Sequence, residues 1–308
     1  MEILKFNPIY KPTLWGSETW AISAVKGSES VVMGGEDKGL TLPQVVERYG
    51  ADFLGKANSQ KFGHDFPLLI KFIDARQDLS IQVHPNDELS AKRHGKMGKN
   101  EMWYVVDADR GSKLIAGFSR QMLTQDYAAK VADGSIENDL CKASVSEGDC
   151  FYIPAGRVHG IGAGMVIAEI QQTSDVTYRI YDYMRRDREG NLRQLHTELA
   201  LDAIDFNDIT QDPKVQYTEE RDKLIPLVEC PYFKTSELKL TQTFVRDYQE
   251  EEDTFHVYMC LSGQCCFLSP EGQGIFLHSG ESLVVPACMK QVTIIPDGQC
   301  KLLESGVI

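Results

Sequence analysis

Short apolar runs rich in β-branched residues recur along the chain, and Gly, Pro, Asn or Asp closes most of them. Runs at 68–73, 79–83, 102–106, 113–116, 151–153 and 165–170 have the length and punctuation of strands joined by turns. Helical patterns are few: 42–49 after a Thr41 cap, 87–93 after Pro85 and Asn86, 122–132, and 198–204. Strands with occasional helices between them predict antiparallel β-sandwiches or barrels rather than βαβ units. No Gly-rich nucleotide loop is visible. From 207 to 226 the chain turns polar, and strand-like runs then resume at 232–240, 255–261, 264–268, 281–285 and 291–295.

The two halves echo each other. Glu147-Gly148-Asp149, a short apolar strand and Pro154-Ala155 are matched by Ser279-Gly280-Glu281, a short apolar strand and Pro286-Ala287; a shift of 132 residues lays Pro154 on Pro286. One β-sandwich per half is expected: a metal-binding domain with helical additions over 1–206, a linker over 207–226, and a second β domain over 227–308.

A chain of 308 residues, 42% hydrophobic and 25% charged, has the size and composition to bury such cores without disulfides. The net charge of −13 argues against general binding to nucleic acid or an anionic membrane, while leaving room for a small basic pocket. The eight cysteines show no C-x-x-C spacing, the amino terminus has no apolar signal-like stretch, and no apolar run approaches the ~18 residues of a membrane span. A reduced, cytoplasmic protein is expected.

Three segments carry candidate chemistry. In Ser80-Ile81-Gln82-Val83-His84-Pro85, strand alternation puts Ser80, Gln82 and His84 on one face and Ile81 and Val83 on the other. In Lys99-Asn100-Glu101-Met102-Trp103-Tyr104, a carboxylate opens an apolar, aromatic strand, where it needs a cation, a metal or solvent. In Tyr152-Ile153-Pro154-Ala155-Gly156-Arg157-Val158-His159-Gly160-Ile161-Gly162, a tight turn delivers His159 to a strand start, with Gly160 and Gly162 expected to leave room beside the imidazole. Two imidazoles, a carboxylate and an amide oxygen make a nitrogen/oxygen set that Zn²⁺ accepts, with a position left for water or substrate. Further on, Glu169 and Gln171 share a face, as do Thr177, Arg179 and Tyr181; an arginine there suits an anionic sugar or a developing enediolate.

Taken in order, Gln-Val-His-Pro, Lys-x-Glu-Met-Trp-Tyr, Tyr-Ile-Pro-Ala-Gly-x-x-His and Ser-Asp-x-x-Tyr-Arg resemble type I mannose-6-phosphate isomerase, a zinc enzyme of the cupin superfamily, in its short bacterial form. The resemblance runs from Ser80 to Asp182, with smaller matches at Trp15-Gly16 and Leu195-His196. It implies a mainly β chain of two cupin-like jelly-roll sandwiches with a few peripheral helices. It implies one Zn²⁺ per chain on Gln82, His84, Glu101 and His159, with Arg179 as the active-site arginine. Ser80, Lys99, Glu169 and Lys71 match polar residues of the family's pocket. The implied substrate is a small sugar phosphate, and the implied reaction is aldose–ketose isomerisation through a cis-enediolate. Arg179, Lys99 and Glu169 are then the catalytic candidates, with Ser80, Lys71, Lys99 and Arg179 binding substrate.

Two other readings stay open on the residues alone: a cupin oxygenase using iron, whose sites often carry two His and one carboxylate, and a non-catalytic sugar-binding cupin. The Gln82 amide and the Lys and Arg content favour the isomerase. The second half is expected to hold no metal. The 132-residue shift puts Gln291 where His159 stands, and aligning Tyr104 with Tyr258 puts Phe255 opposite Glu101.

Overall fold

The apolar runs pair into antiparallel ladders, and the ladders build two sandwiches with the same strand order. The structure, a computed structural model, describes residues 1–186, 189–249 and 252–307. The chain divides into two compact units: Met1–Ile9, Thr19–Lys71 and Gln216–Ile308 form one, Tyr10–Glu18 and Phe72–Val215 the other.

In the unit containing Phe72–Val215, a five-stranded sheet runs in the order Leu140–Ser144, Lys113–Phe118, His159–Ile161, Ile81–Val83 and Tyr178–Tyr181. A six-stranded sheet runs Cys150–Ile153, Glu101–Ala108, Met165–Gln172, Leu68–Ala75, Gly16–Ile22 and Ile9–Pro12, the last three passing through unit boundaries. Trp103, Val105, Leu114, Ala116, Phe151 and Ile153 belong to the apolar core of this unit. On the strand Ile81–Val83, Ile81 and Val83 join a separate apolar layer with Tyr127 and Val131 of the helix Thr124–Asp133, which leaves Gln82 on the opposite face, as alternation requires.

The other unit repeats the plan. Its four-stranded sheet runs Gly274–His278, Gln264–Leu268, Gln291–Pro296 and Phe244–Asp247. Its larger sheet runs Leu224–Glu229, Lys234–Leu240, Cys300–Gly306, His256–Ser262, Ser282–Val285, Leu4–Asn7 and Val31–Val32. Leu238, Tyr258, Phe267, Leu283, Ile294 and Leu302 are buried in its core. The mainly β, two-sandwich architecture with few helices is as expected.

The domain limits differ from those expected. Residues 1–9 and 19–71 fall in the same compact unit as 216–308, and within it Leu4 pairs with Val284 and Phe6 with Val32. The polar stretch 207–226 is not a free linker either. Ile209 bridges to Phe118 at the end of its strand and Lys214 to Phe151 on an edge strand, and 224–226 already form strand. Polarity marks solvent exposure, and a segment bridged to strands at the surface has that as much as a linker does.

The predicted helix at Leu42–Tyr49 forms with a capping box, in which Thr41 and Gln44 satisfy each other's backbone N–H groups. Asn86 caps Asp87–His94 through Leu89 N–H, as the pattern suggested. Two further helices, Ala51–Leu54 and Lys56–Phe62, follow at once; they are too short for a periodic signal. All eight cysteines are free, and no helix among the described residues is long and apolar enough to cross a membrane.

Candidate metal centre

His84, Glu101 and His159 come together inside the sandwich of one unit, from three segments far apart in sequence. One ligand atom from each lies within 4.8 Å of the others, and all three residues are buried. Local chemistry sets each in place. His84 and Pro85 follow directly on the strand Ile81–Val83, and the capped helix Asp87–His94 carries the chain out and back, so that Lys99 N–H donates to Pro85 O at 3.1 Å. Gly98 makes the return possible, since a Cβ there would stand 2.5 Å from Asp87 N. The turn before His159 is tied to the same place: Gly156 N–H donates to His84 O at 3.0 Å and Ala155 N–H to Asn100 Oδ1 at 3.0 Å.

Both imidazoles are held in one tautomer. His84 Nδ1 lies 2.9 Å from Val176 O and His159 Nδ1 lies 2.8 Å from Arg157 O. Carbonyls only accept, so each Nδ1 carries the proton and each Nε2 presents a lone pair. The two Nε2 atoms face each other at 3.1 Å. Glu101 Oε2 and Oε1 stand 3.5 Å from His84 Nε2 and His159 Nε2 respectively. Two lone pairs and a carboxylate converging in a buried interior are stabilised by a cation. Lys99 Nζ already lies 2.6 Å from Glu101 Oε2 and 3.0 Å from His84 Nε2. Backbone carbonyls orienting the far ring nitrogen are the usual support of a metal-ligating histidine. Burial pulls the His159 pKa down to about 3, which keeps its imidazole neutral and fit to ligate at ordinary pH.

The other expected residues take varied places. Gln82 pairs with His159 across one ladder and with Arg179 across the next, so all three stand in one row across the sheet. Ser80 is buried. Glu169 is buried, pairs in the ladder with Trp103, and accepts from its Nε1 at 3.0 Å; the Trp103 ring meets His159 edge-on at 5.4 Å. Arg179 donates through Nη1 to Gln194 O at 2.9 Å. Asp182 is taken by Arg185 and Arg193. Lys71 falls in the other unit, buried, with its ammonium 5.2 Å from the centre of the Trp20 ring.

One expectation is corrected here. Gly162 serves strand packing rather than space for the imidazole: a Cβ there would lie 2.0 Å from Lys113 O. Sequence reasoning also passed over the frame around the site. Asn100 Nδ2 donates to Gln172 Oε1 at 2.8 Å while its Oδ1 holds the Pro-Ala turn, and Arg157 is clamped by Asp208 at 2.7 Å. Their only sequence signal is adjacency to Glu101 and His159.

A family model for the type I phosphomannose isomerase catalytic domain matches residues 7–128, reaching His84 and Glu101 but not His159. A mannose-6-phosphate isomerase of Bacillus subtilis, ManA, is 36% identical over 258 residues, or 78% of this chain and 80% of that relative. One from Streptococcus mutans is 31% identical over 294 residues, or 96% of this chain and 89% of the relative. The crystal structure of a Bacillus subtilis mannose 6-phosphate isomerase superposes with a TM-score of 0.87 at 28% identity, covering 99% of both chains.

Proposed function

The chain belongs to the type I phosphomannose isomerase family, and on that premise we propose that it interconverts mannose 6-phosphate and fructose 6-phosphate, with one Zn²⁺ held by Gln82, His84, Glu101 and His159. The observation that carries this reading is the convergence of two carbonyl-oriented Nε2 lone pairs on a buried carboxylate. When bound, the ion supplies Lewis-acid polarisation of a sugar oxygen.

The chain's own residues supply the rest. Isomerisation moves a proton between C1 and C2, and negative charge develops on the oxygens as the cis-enediolate forms. Lys99, buried beside the cluster, and Arg179, in the row with Gln82, answer that charge. Glu169 is the proposed base; the Trp103 indole holds one of its oxygens at 3.0 Å and fixes the carboxylate's orientation. Ser80 is proposed to donate to a sugar hydroxyl. The family resemblance adds Lys71 to the substrate-binding set, where Lys71→Gln is expected to raise KM more than it lowers kcat. A cytoplasmic location suits the eight free thiols.

The test is a coupled assay on mannose 6-phosphate with metal analysis of the same sample. Activity should vanish with a chelator and return with Zn²⁺. Activity that persists in a sample stripped of divalent metal would sink the assignment.

A further inference from the structure

The carboxy-terminal sandwich carries a second polar interior at the ladder positions that the metal centre occupies in the other unit. Ile153 pairs with Glu101, and its counterpart in the repeat, Val285, pairs with His256. His256, not Phe255, therefore stands where Glu101 stands. Trp103 pairs with Glu169, and in the same register Tyr258 pairs with Glu304. Each aromatic donates to its carboxylate, Trp103 Nε1 at 3.0 Å and Tyr258 OH at 2.7 Å. Gln171 pairs with Glu101; continuing the second ladder by one residue puts Gly306 at that position. The expected counterpart of His159, Gln291, is exposed, and Val292 is buried in the core instead.

Around these residues lies a cavity of about 290 Å³, lined by residues of this one unit. That is near the lower end of the roughly 300–1,000 Å³ of small-ligand pockets. His256 is 5% exposed, its Nδ1 faces Glu304 Oε1 at 3.3 Å, and its Nε2 is buried without a hydrogen-bond partner. With Nδ1 turned to Glu304, Nε2 is the ring nitrogen left open to a ligand, and a hydroxyl group can meet it as donor or as acceptor. Around the wall, the carboxylates of Glu229, Glu252, Asp253 and Glu304 outnumber the cations Lys234 and Arg246. Both cations are engaged, Arg246 with Glu304 and Glu252 at 2.9 Å and Lys234 with Glu229 at 3.5 Å.

We propose that this cavity binds one small uncharged polyhydroxy compound, of the size of a free hexose or hexitol. The carboxylates of the wall outnumber its cations, so the ligand must bring donors, and hydroxyl groups meet carboxylates and the open imidazole nitrogen without adding charge. A phosphate or carboxylate group would meet like charge. An organic ammonium would lack the aromatic cage that such ligands use, since no Trp, Tyr or Phe lines the cavity among the described residues. Gly306 provides room where Gln171 fills the other sandwich; a Cβ there would already lie 3.1 Å from Phe255 O.

The experiment is saturation-transfer NMR on the metal-loaded full chain with D-mannose and D-mannitol, run with mannose 6-phosphate occupying the catalytic pocket. Transfer to the free polyol should persist, and His256→Phe and Gly306→Gln should each weaken it about tenfold or more. His256 stacks on Tyr248, whose ring centre is 4.1 Å away, and His256→Phe keeps an aromatic ring at that position while removing both ring nitrogens. On the wild-type chain, the imidazole ¹⁵N signal of His256 should move as mannitol is added, which decides the matter even if neither variant folds. The proposal is overturned by no transfer at tens of millimolar polyol, by transfer abolished by mannose 6-phosphate, by transfer unchanged in folded variants, or by inorganic phosphate or choline moving the His256 signal in place of mannitol. Isomerase activity, assayed separately, reports on the catalytic reading alone.

Discussion

The two sandwiches share strand order and ladder register, yet one gathers ligand atoms and the other gathers an ion-pair network. At matched positions Glu101, Trp103, Glu169 and Gln171 stand opposite His256, Tyr258, Glu304 and Gly306. In the first, Lys99 touches Glu101 and His84, while two Nε2 lone pairs stay aimed at one point. In the second, Arg246 binds both oxygens of Glu304, and Tyr258 and His256 complete its shell. Burial alone would raise Glu304, but His256 and Arg246 hold it down to about 2. Similar frames thus carry different tasks: one brings two imidazoles and a carboxylate to one point, and the other balances the buried Glu304 charge with Arg246 while His256 Nε2 stays open toward the cavity.

The comparison breaks most visibly at His159. His159→Ala should lower kcat/KM by at least about 10³-fold and remove most bound metal, read by steady-state assay and metal analysis, with the fold retained. Full metal occupancy in that variant would show that the two imidazoles are not a ligand pair. In the other sandwich the large effect should be on stability. Arg246→Met strands the Glu304 carboxylate in the interior and should cost about 3–5 kcal/mol, seen as a lower urea midpoint at unchanged m-value. A loss under about 1 kcal/mol would mean the network is not what stabilises that core.

Arg179→Lys keeps the charge but loses the planar fork of donors, and a fall of about 10²-fold in kcat is expected, with KM changed less. If KM takes the whole effect, the arginine holds phosphate rather than the developing charge. The smallest signal is in pH. His159 has a folded pKa of about 3, below the ordinary imidazole value of 6.5, because burial disfavours the cation. The unfolded chain therefore takes up the proton first as pH falls. Its stability contribution is full above pH 6.5 and is lost toward pH 3, with a slope of at most about 1.4 kcal/mol per pH unit. Chemical denaturation of the metal-free protein across this window should show a shallower acid-side slope in His159→Gln; identical slopes would remove His159 from the account.

Much of this was legible in residue order. His84, Glu101 and His159 stand out because each interrupts an apolar strand or opens one beside a turn, and the four motifs appear in the family's sequence. Asn100, Gln172 and Asp208 were not legible. Their hydrogen bonds join residues 51 to 72 positions apart, and nothing local marks the partner. The second polar interior was missed for a narrower reason. Matching one tyrosine to another set Phe255 against Glu101, one residue away from His256, and a slip of one in a strand exchanges its two faces.

What the sequence by itself determined is whatever repeats over a few residues. It gave the period-two alternation that sends Gln82 one way and Ile81 and Val83 the other, and the Thr41 and Asn86 caps. It also set the kinds of ligand atom available. The tertiary structure alone decided which lone pairs meet, that residues 1–9 and 19–71 fall in one compact unit with the carboxy-terminal strands, and that His256 rather than Phe255 takes the counterpart position. The physical reason is one of range. Alternation and capping are settled by atoms a turn or less apart, whereas ladder register is settled by the best fit of two whole buried faces, which no short stretch of either strand contains.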